Sequence, residues 1–186
     1  MARSNGRDLG SQLEEEMSVL FREEQKLPAW SIWLVTAALV GAIAAFGLGM
    51  HHQLVQGKPW GNKPMSDSML KISATFVILA SFASWFMVAK AKLVTEVRRD
   101  GLHVRFFPFH LKYRVFPWAG IKSMEAVTYR PLLDYGGWGI RYGRKGRAWN
   151  ARGNRGIMLN FVKDKPLLVG SQDPDKILSA SPNFRN

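Results

Sequence analysis

The 186 residues contain no cysteine, so disulfide cross-links, thiolate zinc sites and a cysteine nucleophile are all excluded. Acidic residues are also few, and their shortage is local. Residues 1–89 hold seven Lys/Arg and seven Asp/Glu, whereas residues 90–186 hold nineteen against seven, so the second half carries the whole formal charge of +12. Charge is missing altogether from two long stretches, Leu27–Gln53 and Ile72–Ala89, which contain no Asp, Glu, Lys or Arg. With no Asp, Glu, Lys or Arg at such depth, neither stretch suggests transport or a proton path, which argues against a channel or pump. No phosphate loop of the GK[ST] kind and no nucleophile elbow occurs.

The two uncharged stretches are the most informative features present. Spans of about residues 28–50 and 70–90 rise roughly 1.5 Å per residue, enough to cross a hydrocarbon core of about 30 Å. Neither has the polar face of a surface helix. Trp30 and Trp33 lie near one end of the first and Trp85 near one end of the second, as expected for rings at the headgroup level. Five glutamates in the preceding 26 residues and a long apolar core argue against a cleaved signal peptide. The expected organisation is therefore an N-terminal segment over 1–26, a transmembrane hairpin over 27–92 and a soluble domain over 93–186. Lys90, Lys92, Arg98 and Arg99 outweigh Lys58, Lys63 and Lys71 of the connecting loop. The positive-inside bias thus predicts an inner-membrane protein with both its N-terminus and its C-terminal domain in the cytoplasm.

Within the spans, Ala37, Gly41 and Ala45 recur every fourth residue, as do Ala80 and Ser84. Small residues at that spacing let helices approach closely, and we expect them to pack the hairpin or to join it to other subunits. Ahead of the first span, Ser11 and Glu14 have capping-box spacing. Leu13, Met17, Leu20 and Phe21 then form a helical apolar stripe against an acidic remainder of Glu14, Glu15, Glu16, Glu23 and Glu24. This predicts an acidic amphipathic helix that docks on a basic protein surface.

From Leu93 the pattern changes to short β-branched and aromatic runs: 93–97, 102–107, 112–116, 121–129, 140–142, 147–151, 156–162 and 166–169. Asp100-Gly101 marks a hairpin turn. Asp173 and Pro174 then fit the N-cap and first position of a closing helix. The expected fold is a small antiparallel β-barrel or sandwich of about seven strands, capped by a C-terminal helix.

Two spans, such a β domain and a terminal helix, with Tyr135-Gly-Gly-Trp-Gly-Ile-Arg-Tyr142, Gly153-Asn-Arg-Gly156 and Leu168-Val-Gly-Ser-Gln172, together resemble bacterial pleckstrin-homology-like membrane proteins of unknown function. The resemblance covers about residues 26–180. It implies a partly open barrel closed by the helix, and a protein that binds proteins, lipids or copies of itself.

The densest chemistry lies between Trp138 and Gly156. Arg141, Arg144, Lys145, Arg147, Arg152 and Arg155 occur there without an acid, interleaved with Trp138, Tyr142 and Trp149. Bases held near an anionic leaflet gain roughly 1 kcal/mol each, so Trp138, Arg141, Arg144, Lys145, Arg147, Trp149, Arg152 and Arg155 are the candidate lipid- or partner-binding residues. Nucleic acid is not an expected partner, because no recognition motif accompanies the charge. His103 and His110 are separate, Glu96, Glu125 and Asp134 are scattered, and no catalytic, metal or cofactor site is expected. The function expected is non-enzymatic binding or scaffolding at the membrane, with an accessory subunit of a larger membrane complex as the alternative.

Overall fold

The computed structural model describes residues 19–143 and 146–182. The chain divides into two compact units, Leu27–Lys90 and a second that joins the segment before it to the segment after it.

The first unit is a helical hairpin. Helix α1 (Ala29–Met50) continues through a π-helical turn at His51–Val55, and α2 (Asp67–Lys90) returns. Both are long and apolar enough to cross a membrane by length and composition. The helices are joined by a hydrogen bond from the Trp85 indole N–H to Thr36 Oγ1 at 3.0 Å. Trp85 therefore faces the partner helix, whereas Trp30 and Trp33 are exposed. Leu70, Ala74 and Gly49 are buried, Gly49 lying under the Trp60 ring. Packing of the hairpin itself is not what Ala37, Gly41 and Ala45 do. Ala37, Gly41 and Ala45 are exposed, and a Cβ built on Gly41 meets nothing within 4 Å. Ala80 and Ser84 border an open cleft with Val35 and Ala38. The close helix contacts use a different face, marked by Thr36, Ala74 and Trp85.

The second unit contains nine strands among the described residues: β1 (Val19–Lys26), β2 (Lys92–Arg98), β3 (Gly101–Phe107), β4 (Arg114–Pro117), β5 (Ile121–Thr128), β6 (Gly139–Gly143), β7 (Gly146–Asn150), β8 (Arg155–Phe161) and β9 (Leu167–Gly170). Two short helices, α3 (Pro131–Tyr135) and α4 (Pro174–Ala180), complete it. One sheet has the order β1-β2-β3-β4 and is antiparallel; the other has the order β5-β8-β9-β7-β6, with β7 and β9 parallel. Two sheets take the place of a closed barrel, and the parallel pair departs from the antiparallel expectation.

The N-terminal helix is also corrected. Over Val19–Lys26 the chain is a strand paired with β2 from Val19↔Arg98 to Lys26↔Lys92; Ser11 to Ser18 lie outside the described residues. Its exposure alternates with period 2, leaving Leu20 outward and Gln25 buried. Between 66 (Lys26↔Lys92) and 79 (Val19↔Arg98) residues of separation hide that pairing from any local pattern, and a strand partner satisfies every second backbone group that a helix would have bonded internally.

Alternation places Leu93, Val97, Leu102, Val104 and Phe106 on one face of the first sheet, and Ile157, Leu159, Leu167, Val169 and Trp149 on one face of the second. Phe116 of β4 meets Trp149 at 5.8 Å and Phe161 at 5.3 Å between ring centroids, so these apolar faces form the core of a sandwich. The other face of the second sheet holds Ala148 and Leu168 with Tyr129 and Tyr135. Helix α4 contacts β1, β5 and β8 and buries Ile177, bridging edge strands of both sheets. Asp173 is its N-cap residue by position, although its side chain makes no capping bond.

Candidate functional site

Register brings three basic or apolar features to one end of the β unit. Lys26, Lys92 and Phe107 stand opposite one another, so the end of β1, the start of β2 and the end of β3 coincide. This is where the chain passes to Leu27 and returns from Lys90. Beyond Phe107, Pro108 has no N–H to donate to a ladder and the strand stops. His110 turns inward, its N–H donating to the Phe106 carbonyl at 2.7 Å and its ring lying 4.6 Å from Trp149. Burial, with a smaller contribution from the Arg114 charge, holds the His110 pKa below its ordinary value, which favours the neutral ring. Phe109 and Leu111 on either side point outward and are 56% and 75% exposed. Lys112 follows and is exposed.

The second sheet presents its corresponding end here. Gln25 donates from Nε2 to the Gly170 carbonyl at 3.0 Å and to Glu23 at 2.7 Å. Glu23 in turn accepts from Ser171 Oγ at 2.6 Å and from the Gln172 N–H at 2.7 Å. Gly170 pairs with Gly156, and the turn joining β7 to β8 therefore sits at this end with Arg152 exposed. Trp138 donates its indole N–H to the Gly153 carbonyl at 3.0 Å in the same turn. Lys26, Lys112 and Arg152 form no ion pair among the described residues, while Lys92 is held by Glu24 at 3.1 Å and Arg155 by Asp175 at 2.8 Å.

The basic run of the sequence is thus divided. Arg152, Arg155 and Trp138 lie at the end just described. The far end of that hairpin, where Gly143 pairs with Gly146, lies roughly 14 Å away at about 3.4 Å per residue. Arg147 pairs there with Tyr142 in the ladder, and its guanidinium reaches Asp164 at 2.9 Å and the Lys165 carbonyl at 3.0 Å. The Lys165 N–H and then Arg147 hold the Asp164 carboxyl below its ordinary pKa. Arg141 is exposed and bonds the Trp138 carbonyl at 2.9 Å. Arg144 and Lys145 lie outside the described residues. Trp149 departs from the expectation: it is 8% exposed and packed on His110 and Phe116, a core residue with no face left for a partner.

A second charged cluster was not visible in the sequence. Glu96 is 1% exposed, with Arg22 opposite on β1 and His103 opposite on β3. Its carboxylate accepts from Arg22 at 3.0 Å, from Arg98 at 3.0 and 2.7 Å, and from the Tyr113 hydroxyl at 2.6 Å. The Arg105 guanidinium stands 4.8 Å from the Tyr113 ring centre. Burial pushes the Glu96 pKa up, but the Tyr113 hydroxyl, Arg98 and Arg22 together outweigh it and hold the group below its ordinary value. Burial and the Glu96 bond raise that of Tyr113. With both oxygens already bonded, this carboxylate has no open position for a substrate, and its chemistry is structural.

The signal for the exposed pair was Pro108 inside an aromatic strand pattern, which removes Phe109 and Leu111 from the ladder. The Glu96 cluster had no local signal, since its members come from four strands or their connections. On comparison with known proteins, the family described as "Family of unknown function (DUF6141)" matches residues 13–182. No curated protein and no solved structure matches the chain.

Proposed function

The chain belongs to this family of unknown function, and on its own geometry we propose that it is a non-enzymatic, membrane-anchored binding module. In this reading α1 and α2 cross the bilayer as a hairpin, and a pleckstrin-homology-like β domain offers a basic end to anionic lipid at the cytoplasmic face. One observation carries it: β1 and β2, which precede and follow the hairpin, pair side by side with Lys26 opposite Lys92. A chain that enters a bilayer between those strands must leave on the side it entered. The bases at that end of the sheets then stand at the headgroup level, where each gains roughly 1 kcal/mol from an anionic leaflet. The lysines and arginines after α2 favour the cytoplasmic side.

The test uses the full-length protein in nanodiscs of phosphatidylcholine mixed with phosphatidylglycerol. Replacing Lys112 and Arg152 by Glu should lower phosphatidylglycerol retention, measured by native mass spectrometry, by about fivefold or more per charge. Equal retention by the variant and the parent would refute lipid docking. Sidedness is checked with Lys58→Cys and Lys163→Cys, which should react with an impermeant maleimide from opposite sides.

A second reading, an accessory or self-assembling subunit, is favoured by the outward stripe of Ala37, Gly41 and Ala45. Gly41→Leu should leave the hairpin's own stability unchanged, because nothing lies within 4 Å of the added atoms' root. It should instead disperse any co-purifying membrane protein or second copy. An assembly of unchanged mass, measured in mild detergent, would count against this reading.

A further inference from the structure

We propose that residues 108–112 form an interfacial anchor, in which Phe109 and Leu111 enter the boundary between headgroups and acyl chains of the bilayer. The inference rests on the membrane reading above and adds a site to it. Three observations lead to it. The first is shape: His110 is fixed inward by its bond to the Phe106 carbonyl and its contact with Trp149. The neighbouring side chains are therefore displayed outward at the tip, 56% and 75% exposed. An apolar pair held out by a packed base differs from apolar surface scattered over a domain.

The second observation is position. Phe107, the last residue of β3, is in register with Lys92 and through it with Lys26. Helix α2 ends at Lys90 and helix α1 begins at Ala29, so only Leu27 and Pro28 on one side and Ala91 on the other connect this end of the sheet to the apolar spans, three and two residue steps of chain. At about 3.5 Å per residue that allows roughly 7 to 10 Å, comparable to the depth of a headgroup layer. The third is charge. Lys112 and Arg114 directly follow the apolar pair and are exposed, and Lys26 and Arg152 share the same end. Apolar side chains surrounded by bases suit the acyl boundary beneath anionic headgroups.

The absence of native cysteine permits a direct test on the full-length protein reconstituted in vesicles of phosphatidylcholine and phosphatidylglycerol. Phe109→Cys, Leu111→Cys, Lys163→Cys and Val40→Cys each carry one nitroxide, and collision rates with oxygen and with a water-soluble nickel chelate are compared. The side chains at all four positions are exposed, so the fold should tolerate the label, which thermal unfolding verifies. The expected result is an oxygen-to-nickel ratio several-fold higher at 109 and 111 than at 163. A ratio at 109 and 111 equal to that at 163, with 40 strongly oxygen-rich, would overturn the anchor while leaving the hairpin intact. A nickel-accessible label at 40 would instead overturn the membrane reading, and the anchor with it.

Discussion

Cations gather in two regions of the β unit, and their surroundings differ in kind. Around Glu96, Arg22 and Arg98 converge with the Tyr113 hydroxyl on one carboxylate that is almost wholly buried. At the end where the chain leaves for the apolar helices, Lys26, Lys112 and Arg152 are exposed and form no ion pair among the described residues. The first arrangement spends its electrostatics inside the fold, where removal of one partner strands the others. The second leaves its charge at the surface, exposed to solvent. Arg147 and Arg155 belong with the first group, since Asp164 and Asp175 already hold them. A basic run in a sequence is therefore a list of candidates that folding sorts into structural and available charge.

The contrast can be broken experimentally. Glu96→Ala removes the buried carboxylate that two guanidinium groups and a hydroxyl share, and should destabilise the β unit by about 3 kcal/mol, read as a lowered unfolding midpoint in mild detergent. A loss below about 1 kcal/mol would mean that the cluster is as solvent-adapted as the basic end. Tyr113→Phe removes a single donor to a buried carboxylate and should cost about 1–2 kcal/mol in the same assay. Acid provides a sharper probe. Because the folded Glu96 has a lowered pKa, its contribution is present above the ordinary carboxylate value of about 4.3. It is lost as pH falls from there through the lowered folded value. Glu96→Gln should accordingly flatten the stability curve below that value, and an unchanged slope would remove Glu96 from the acid response. The smallest effect is expected for Lys112→Glu with Arg152→Glu, within about 0.5 kcal/mol of the parent, even though lipid retention falls.

Much of the architecture could be read from residue order. The uncharged runs identify both helices, and the β-branched and aromatic segments from Leu93 onward coincide with β2 to β9 to within a few residues. The failures share a cause, which is dependence on distant partners. Leu20 and Phe21 fit a helical stripe, yet their segment pairs with β2 on the far side of the hairpin. Trp149 sits among arginines in sequence, but His110 and Phe116 from the other sheet enclose it. The nineteen-residue basic run became two groups because a hairpin carries its tip away from its ends. Even the small residues of α1, correctly seen as a stripe, face away from α2, a choice set by where Trp85 and Ala74 pack.

The β1–β2 ladder has a consequence for biogenesis. During synthesis β1 is made before either apolar run and β2 after both, so the edge strand must wait, unpaired, for its neighbour. In the membrane reading, a nascent chain arrested after a single crossing would hold the two strands on opposite faces of the bilayer. Its first sheet would lack an edge, and Glu23 and Gln25 would lack their contacts at Ser171 and Gly170. In that reading the sheet closes only after insertion is complete, because only a chain that has crossed twice brings β2 to the side that holds β1.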